Sequence, residues 1–274
     1  MKRLLALILA FFPLFGLTQD NELLNLPWQR GPVTATIGDK ATINVPPGYM
    51  FLDAENTKIF DQLNGNPPVE GFHTIMPESG GWFAQFYFEE TGYIKDDEEI
   101  DSDNLLRSIK SSDKAGNEER ERLGMGKLYT DGWVVVPHYD EVSKHLEYGV
   151  RLRDEQGGLN QNYKIRLLGR SGVMTALLVG NVESLDSDLR EFRTIIDNYS
   201  FVPSEAYSAY QPGDKVAEYG LAALVLGGAA AVASKKGFWA VLAGFIASAW
   251  KFLLALGVAA LVGIGKLFGR NKDN

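Results

Sequence analysis

From Leu221 to Gly265 the chain is almost wholly apolar, and that stretch constrains the fold more than any other. After Glu218 and Tyr219 it reads GLAALVLGGAAAVA, breaks at SKKG (Ser234 to Gly237), and resumes as FWAVLAGFIASAWKFLLALGVAALVGIG. A core helix of this length in a soluble protein keeps a polar face. These two runs keep none, and each approaches the roughly 20 residues that cross a bilayer. The expectation is two transmembrane helices, about 217–233 and 238–265, in a hairpin spanning 216–266, followed by a short basic tail, 267–274.

The opposite end agrees. Lys2 and Arg3 precede an apolar run from Leu4 to Leu17. Charge, length and order are those of a secretory signal over residues 1–19, or of an N-terminal anchor if it is not cleaved. Either way Lys2 and Arg3 stay inside and the chain that follows is exported. With the domain outside, the first span runs inward, and Lys235 and Lys236 fall in a short cytoplasmic loop, as positive charge prefers. The expected location is therefore a membrane, with the soluble domain on its extracytoplasmic side.

Charge separates along the chain. Residues 20–211 carry 18 Lys/Arg against 32 Asp/Glu, a net −14, whereas the rest of the chain carries +6. A domain this acidic lacks the basic patches that nucleic acid or anionic lipid require, so no nucleic-acid partner is expected. The chain has no cysteine, which excludes disulfides, thiol catalysis and thiolate metal sites.

The exported segment reads as α+β. VTATIGDKATINV alternates about a Gly38-Asp39 turn and predicts a β-hairpin. DAENTKIFDQLNG predicts a short helix with Ala54, Ile59, Phe60 and Leu63 on one side. GGWFAQFYFEETGYI is an aromatic strand. A helix is expected from about Asp103 through Lys110 and a second helical piece at NEERERLG. Asp131-Gly132 reads as a turn before a β-branched run. HLEYGVRLRD alternates, as does NYKIRLL, with Tyr163, Ile165 and Leu167 on one face and Gly169 to Gly172 turning the chain. SLDSDLREFRTIID is an amphipathic helix, capped by Ser184 or Asp186, with Leu189, Phe192, Ile195 and Ile196 inward. Consecutive hairpins with helices imply a mostly antiparallel sheet with flanking helices.

Several segments in this order, GYIKDDEEID, GWVVVPHYD, NYKIRLLGRSG and DKVAEYGLAAL, resemble the membrane-anchored bacterial proteins of domain-of-unknown-function family 2167 (DUF2167). The resemblance runs from about Trp28 through the C-terminal apolar runs. It implies a bacterial envelope location, at the inner (cytoplasmic) membrane with the soluble domain on the extracytoplasmic side, and a membrane anchor, and it supplies no catalytic residue. The order of elements, from a strand ending in VPPGY to a helix before SFVP, is also similar to domains of the PsbP and Mog1 type, which are mostly accessory or binding modules.

The candidate chemistry is sparse. Six carboxylates, Asp96, Asp97, Glu98, Glu99, Asp101 and Asp103, crowd into eight residues. The calcium-loop spacing fails: Ser102 stands where glycine is needed, and Leu105 where a ligand is needed. Asp101 or Ser102 can instead cap the following helix, with the other acids favoured by its positive end. No metal and no cofactor are expected. His138, Asp140 and His145 could serve a hydrolase, although PHYDEVSKH also reads as a polar connection between strands. GRSG around Ser171 lacks the strand–turn–helix context of a nucleophile elbow. Arg166 and Arg170, with Asn162 and Tyr163, and Tyr139 with Asp140, are the ligand-binding candidates. Arginine recognises carboxylate or phosphate with a forked geometry. Arg166 should share a face with Lys164, solvated or paired to an acid.

Within the apolar segment, Lys251 is the functional candidate. A charge at the bilayer centre costs at least about 2.5 kcal/mol on insertion scales. Lys251 therefore faces a partner helix or a polar cavity, or else divides the run into shorter interfacial pieces. Ala223, Gly227 and Ala231 form a small-residue stripe suited to a partner helix. The expectation is a non-enzymatic binding or accessory module of the envelope. The alternatives are a subunit of a membrane assembly or transport complex, and an envelope hydrolase using His138, Asp140 and His145.

Overall fold

The computed structural model describes residues 19–227, apart from 65, 67 and 123. Most of the two apolar C-terminal runs, with Lys251, and the N-terminal signal lie outside the described residues. Contacts divide the chain into two units, Met1–Ala229 and Ala230–Asn274, and everything described belongs to the first.

In chain order, α1 (Gln19–Leu24) leads to β1 (Gln29–Arg30), β2 (Val33–Ile37), β3 (Ala41–Val45), β4 (Tyr49–Leu52) and α2 (Ala54–Leu63). Next come β5 (His73–Pro77), β6 (Trp82–Glu89), α3 (Ser102–Arg122), β7 (Leu128–Asp140) and β8 (His145–Asp154). The domain closes with β9 (Leu159–Leu168), β10 (Val173–Asn181), α4 (Leu185–Asp197), β11 (Tyr199–Phe201) and α5 (Leu221–Val225). Eight strands form one antiparallel sheet in the order β1-β4-β5-β6-β10-β9-β8-β7, and β11-β3-β2 form a second, smaller one. The architecture is the mostly antiparallel sheet with flanking helices that alternation predicts.

The two faces of the large sheet follow from the period of two along each strand. Tyr163, Ile165 and Leu167 of β9 and Met174, Ala176 and Leu178 of β10 point one way. There they meet Phe192, Ile195 and Ile196 of α4 and Ile37, Ile43 and Val45 of the small sheet. On the opposite face Phe60 of α2 packs on Phe83, Leu177 and Val179. Further along that face Leu146, Tyr148, Leu168 and Val173 are covered by Leu105 of α3 and by Leu221, Leu224 and Val225 of α5.

Four expectations change. The separate helical pieces are one helix, α3, because Asp113 accepts from the Thr130 N–H and hydroxyl (2.8 and 2.7 Å) and Asn117 exchanges two bonds with the Leu128 backbone (2.8 and 2.9 Å). Asp131-Gly132 does not end a strand. It is a register shift inside β7, with Asp131 accepting from Arg151 (2.6 Å) and Arg153 (2.7 Å) on the neighbouring strand. Ile59 is 44% exposed, and Thr57 and Asp61 take the buried positions of α2. The start of the first apolar run is not a long helix: α5 has five residues, and among the described residues no helix is long and apolar enough to cross a membrane.

Candidate functional site

The acid-rich segment is a strap. Gly92 sits at φ +93° and donates its N–H to Ser171 O at 2.9 Å. A Cβ there would lie 2.6 Å from Lys215 O, so the position accepts only glycine. The next residue pairs with the chain leading into the apolar run: Tyr93 N–H donates to Lys215 O (2.8 Å) and Ala217 N–H to Tyr93 O (2.9 Å). The Tyr93 ring packs against those of Tyr207 and Tyr210, with centroids at 4.4 and 4.2 Å, and the Tyr207 hydroxyl donates to Ile94 O at 2.8 Å.

Three of the acids then have their own tasks. Asp96 accepts from Lys144 Nζ (2.6 Å) and from the Tyr139 hydroxyl (2.9 Å). Burial pushes its carboxyl up, but the hydrogen bonds from Lys144 and Tyr139 outweigh it and hold the group below its ordinary value. Glu98 accepts from Ala222 N–H at 3.0 Å, at the start of α5. Asp101 accepts from Asn104 N–H at 2.9 Å and caps α3, as its spacing predicts. Asp97 and Glu99 face solvent. Among the described residues no group of three or more His, Asp or Glu is placed to hold a metal.

The β9–β10 turn meets this strap. Arg170 binds Asp214 through both Nε (2.7 Å) and Nη2 (2.8 Å). Those bonds, with one from the Gln211 backbone, push Asp214 down to about 2. The Ser171 hydroxyl donates to Glu205, which also receives Lys40 Nζ at 2.9 Å. Together Lys40, Glu90, Arg170, Ser171, Glu205, Asp214 and Lys215 line an open cleft of about 310 Å³. Ser171 therefore donates to a carboxylate that a lysine already neutralises, and among the described residues no imidazole is bonded to it.

Arg166 is, with Tyr163, the most buried of the candidates, at 0% exposure. Its Nη1 reaches Glu89 and the Thr175 hydroxyl, and its Nη2 donates to Leu224 O of α5 at 2.9 Å. The Tyr148 hydroxyl donates to the same carbonyl at 3.4 Å. A cation at the last turn of a helix satisfies its free carbonyls and its dipole. Beside it Lys164 is 8% exposed, and burial first, then the nearby Arg166 charge, push its ammonium down to about 7.

The ligand-binding candidates do not form one site. Asn162 and Arg166 lie on the α5 face. Tyr163 is on the opposite face, its hydroxyl donating to Glu147. Arg170 is at the hairpin turn, and Tyr139 is bonded to Asp96. Asp140 accepts from Val142 N–H (2.7 Å) and Ser143 N–H (3.0 Å), which fixes the β7–β8 turn. His138 is exposed, with Nδ1 3.2 Å from Val136 O and Nε2 3.8 Å from Glu147. His145 pairs across the strands with Asp140, and burial lowers its pKa.

The four segments GYIKDDEEID, GWVVVPHYD, NYKIRLLGRSG and DKVAEYGLAAL are thus bonded to one another and to α5. Over residues 29–262 the sequence matches the family described as "Protein of unknown function (DUF2167)". The chain belongs to DUF2167. No curated protein matches it. This DUF2167 chain is similar to the solution structure of cyanobacterial PsbP (CyanoP) from Synechocystis sp. PCC 6803. Identity is 12%, over 65% of this chain and 94% of that one, with a TM-score of 0.36.

Sequence reasoning missed Glu89, Tyr148, Glu205, Asp214 and Leu224. The available signal was joint occurrence. Asp214 and Leu224 bound the segment DKVAEYGLAAL, and their partners Arg170 and Arg166 sit inside NYKIRLLGRSG.

Proposed function

We propose that this DUF2167 chain is a membrane-anchored binding or accessory module, with its sheet domain outside a bacterial cytoplasmic membrane and no chemistry of its own. One observation supports it above the rest. The charged and hydroxyl groups of the motif segments bond to one another and clamp residues 214–224, the lead into the apolar run. Groups spent in this way hold an anchor to a domain. A nucleophile with its base, by contrast, is left facing a substrate. The signal at one end and the apolar runs at the other support the location, and the acidic surface supports a protein or small-ligand partner over nucleic acid.

The test is cross-linking in native membranes followed by affinity purification of the full chain. The expected result is one envelope protein recovered in constant ratio to the bait. Turnover by the detergent-solubilised chain in a broad hydrolase screen, abolished by His138→Ala or Ser171→Ala, would overturn the reading.

A further inference from the structure

Helix α5 belongs to two descriptions at once. By sequence, Leu221–Val225 opens the first apolar run. By structure, Leu221, Leu224 and Val225 are 1%, 0% and 6% exposed and pack on Leu146, Tyr148, Leu168 and Val173 of the sheet. The docking is specific as well as apolar. Glu98 receives the Ala222 N–H at one end of α5, Arg166 and Tyr148 both donate to Leu224 O at the other, and Val216 is bridged to Tyr93. Lipid would satisfy the leucines equally well, but it would satisfy none of these polar partners, and it would strip the cover from the buried Arg166–Glu89 pair.

Length then decides the matter. With α5 docked, the run keeps only residues 226–233 before Ser234, eight residues, or about 12 Å as a helix. The hydrocarbon layer is about 30 Å thick. Extending the run past Lys235 and Lys236 would place both ammonium groups inside it.

We infer that the start of the first apolar run, α5, belongs to the extracytoplasmic domain and that this run is not a membrane span, so that the apolar C-terminal segment crosses the bilayer once, through the second run, with its tail in the cytoplasm. This rests on the anchored reading above and replaces the hairpin with a single pass. The second run supplies the crossing: residues 252–265, uninterrupted between Lys251 and Lys266, give 14 residues, about 21 Å as a helix, and the flanking lysines must make up the rest. Lysine stems lie along apolar surface while their ammonium groups reach the headgroups, so the two lysines extend the crossing at opposite ends. Lys251, costly at the centre of a longer span, becomes its outer boundary. Lys235, Lys236 and Lys251 then lie outside and Lys266, Arg270 and Lys272 inside, so the basic count is equal on the two sides and does not oppose this orientation.

The chain has no cysteine, so single cysteines report cleanly. Val142→Cys marks the domain at a residue that is 95% exposed; Ser234→Cys and Asn271→Cys flank the second run. Each full-length variant is expressed in spheroplasts and treated with a membrane-impermeant maleimide before and after permeabilisation. The expected result is labelling of V142C and S234C in intact spheroplasts, and of N271C only after permeabilisation. The reverse for S234C and N271C, the pattern of a hairpin, overturns the inference, as does labelling of all three from one side. Release of the chain by alkaline carbonate would defeat the anchored reading itself, and V142C protected in intact spheroplasts would defeat its orientation. Neither result resembles the hairpin pattern.

Discussion

Replacing Arg166 by methionine removes a cation that three elements share. The side chain is fully buried, and the Glu89 carboxylate it meets is only 22% exposed. Breaking a buried ion pair by deleting one partner costs about 3–5 kcal/mol, because the survivor is left charged without compensation. Glu89 retains some contact with water and its bond from Thr175 (3.0 Å), and Leu224 O retains Tyr148, so the expected loss lies at the lower end, about 3 kcal/mol. For a domain of this size that lowers Tm by roughly 6–12 °C. The assay is thermal unfolding of the full chain in detergent, followed by near-ultraviolet circular dichroism, beside the Glu89→Leu single variant and the Glu89→Leu/Arg166→Met double variant. Replacing the whole pair with apolar groups leaves no stranded charge, so the double variant should recover most of the loss. A loss below about 1 kcal/mol for Arg166→Met, or a double variant as unstable as the sum of the two single ones, would refute the coupling of α5 to the sheet through this pair.

Other outcomes follow from the same geometry. Asp61, buried in α2 and bonded to Gln85 Nε2 at 2.7 Å, is pushed by burial up to about 6 from 3.8, so the folded chain holds this proton at a pH where the unfolded chain has lost it. That contribution is present below pH 4 and is lost as pH rises through 6, at most about 3 kcal/mol; denaturant titrations at pH 4.5 and 7.5 should show the drop, and Asp61→Asn should abolish it. Lys164 carries the opposite sign: its ammonium is held at about 7, the unfolded chain keeps the proton to 10.5, and stability should therefore rise from pH 7 to pH 9 in the parent but not in Lys164→Met. Gly92→Ala forces a side chain to within 2.6 Å of Lys215 O at φ +93° and should cost about 1–3 kcal/mol, read as faster tryptic cleavage after Lys215 in the folded chain.

How much of this was legible depends on whether the partner lies nearby in sequence. The alternation of NYKIRLL fixes both faces of β9, because strand period is a local property, and Asp101 three residues before Asn104 is a local cap. Asp96 and Glu98 look the same as Asp101 in the sequence, yet their partners are 48 and 124 residues away, so spacing alone could not assign them. Asp131-Gly132 reads as a turn by composition; only the arginines of the adjacent strand hold it as a bulge. Arg166 was expected on a face that is solvated or paired to an acid. The acid is there, but the face is dry, because its cover is a piece of the apolar run itself. An apolar stretch reads alike whether it meets lipid or a sheet, since hydrophobic burial is non-directional. What separates the two cases is the polar residues that need that stretch as a partner: Glu98 at one end of α5, and Arg166 with Tyr148 at the other. The acid strap, the arginine strand and the lead into the apolar run are therefore one device, and each explains the residue types of the other two.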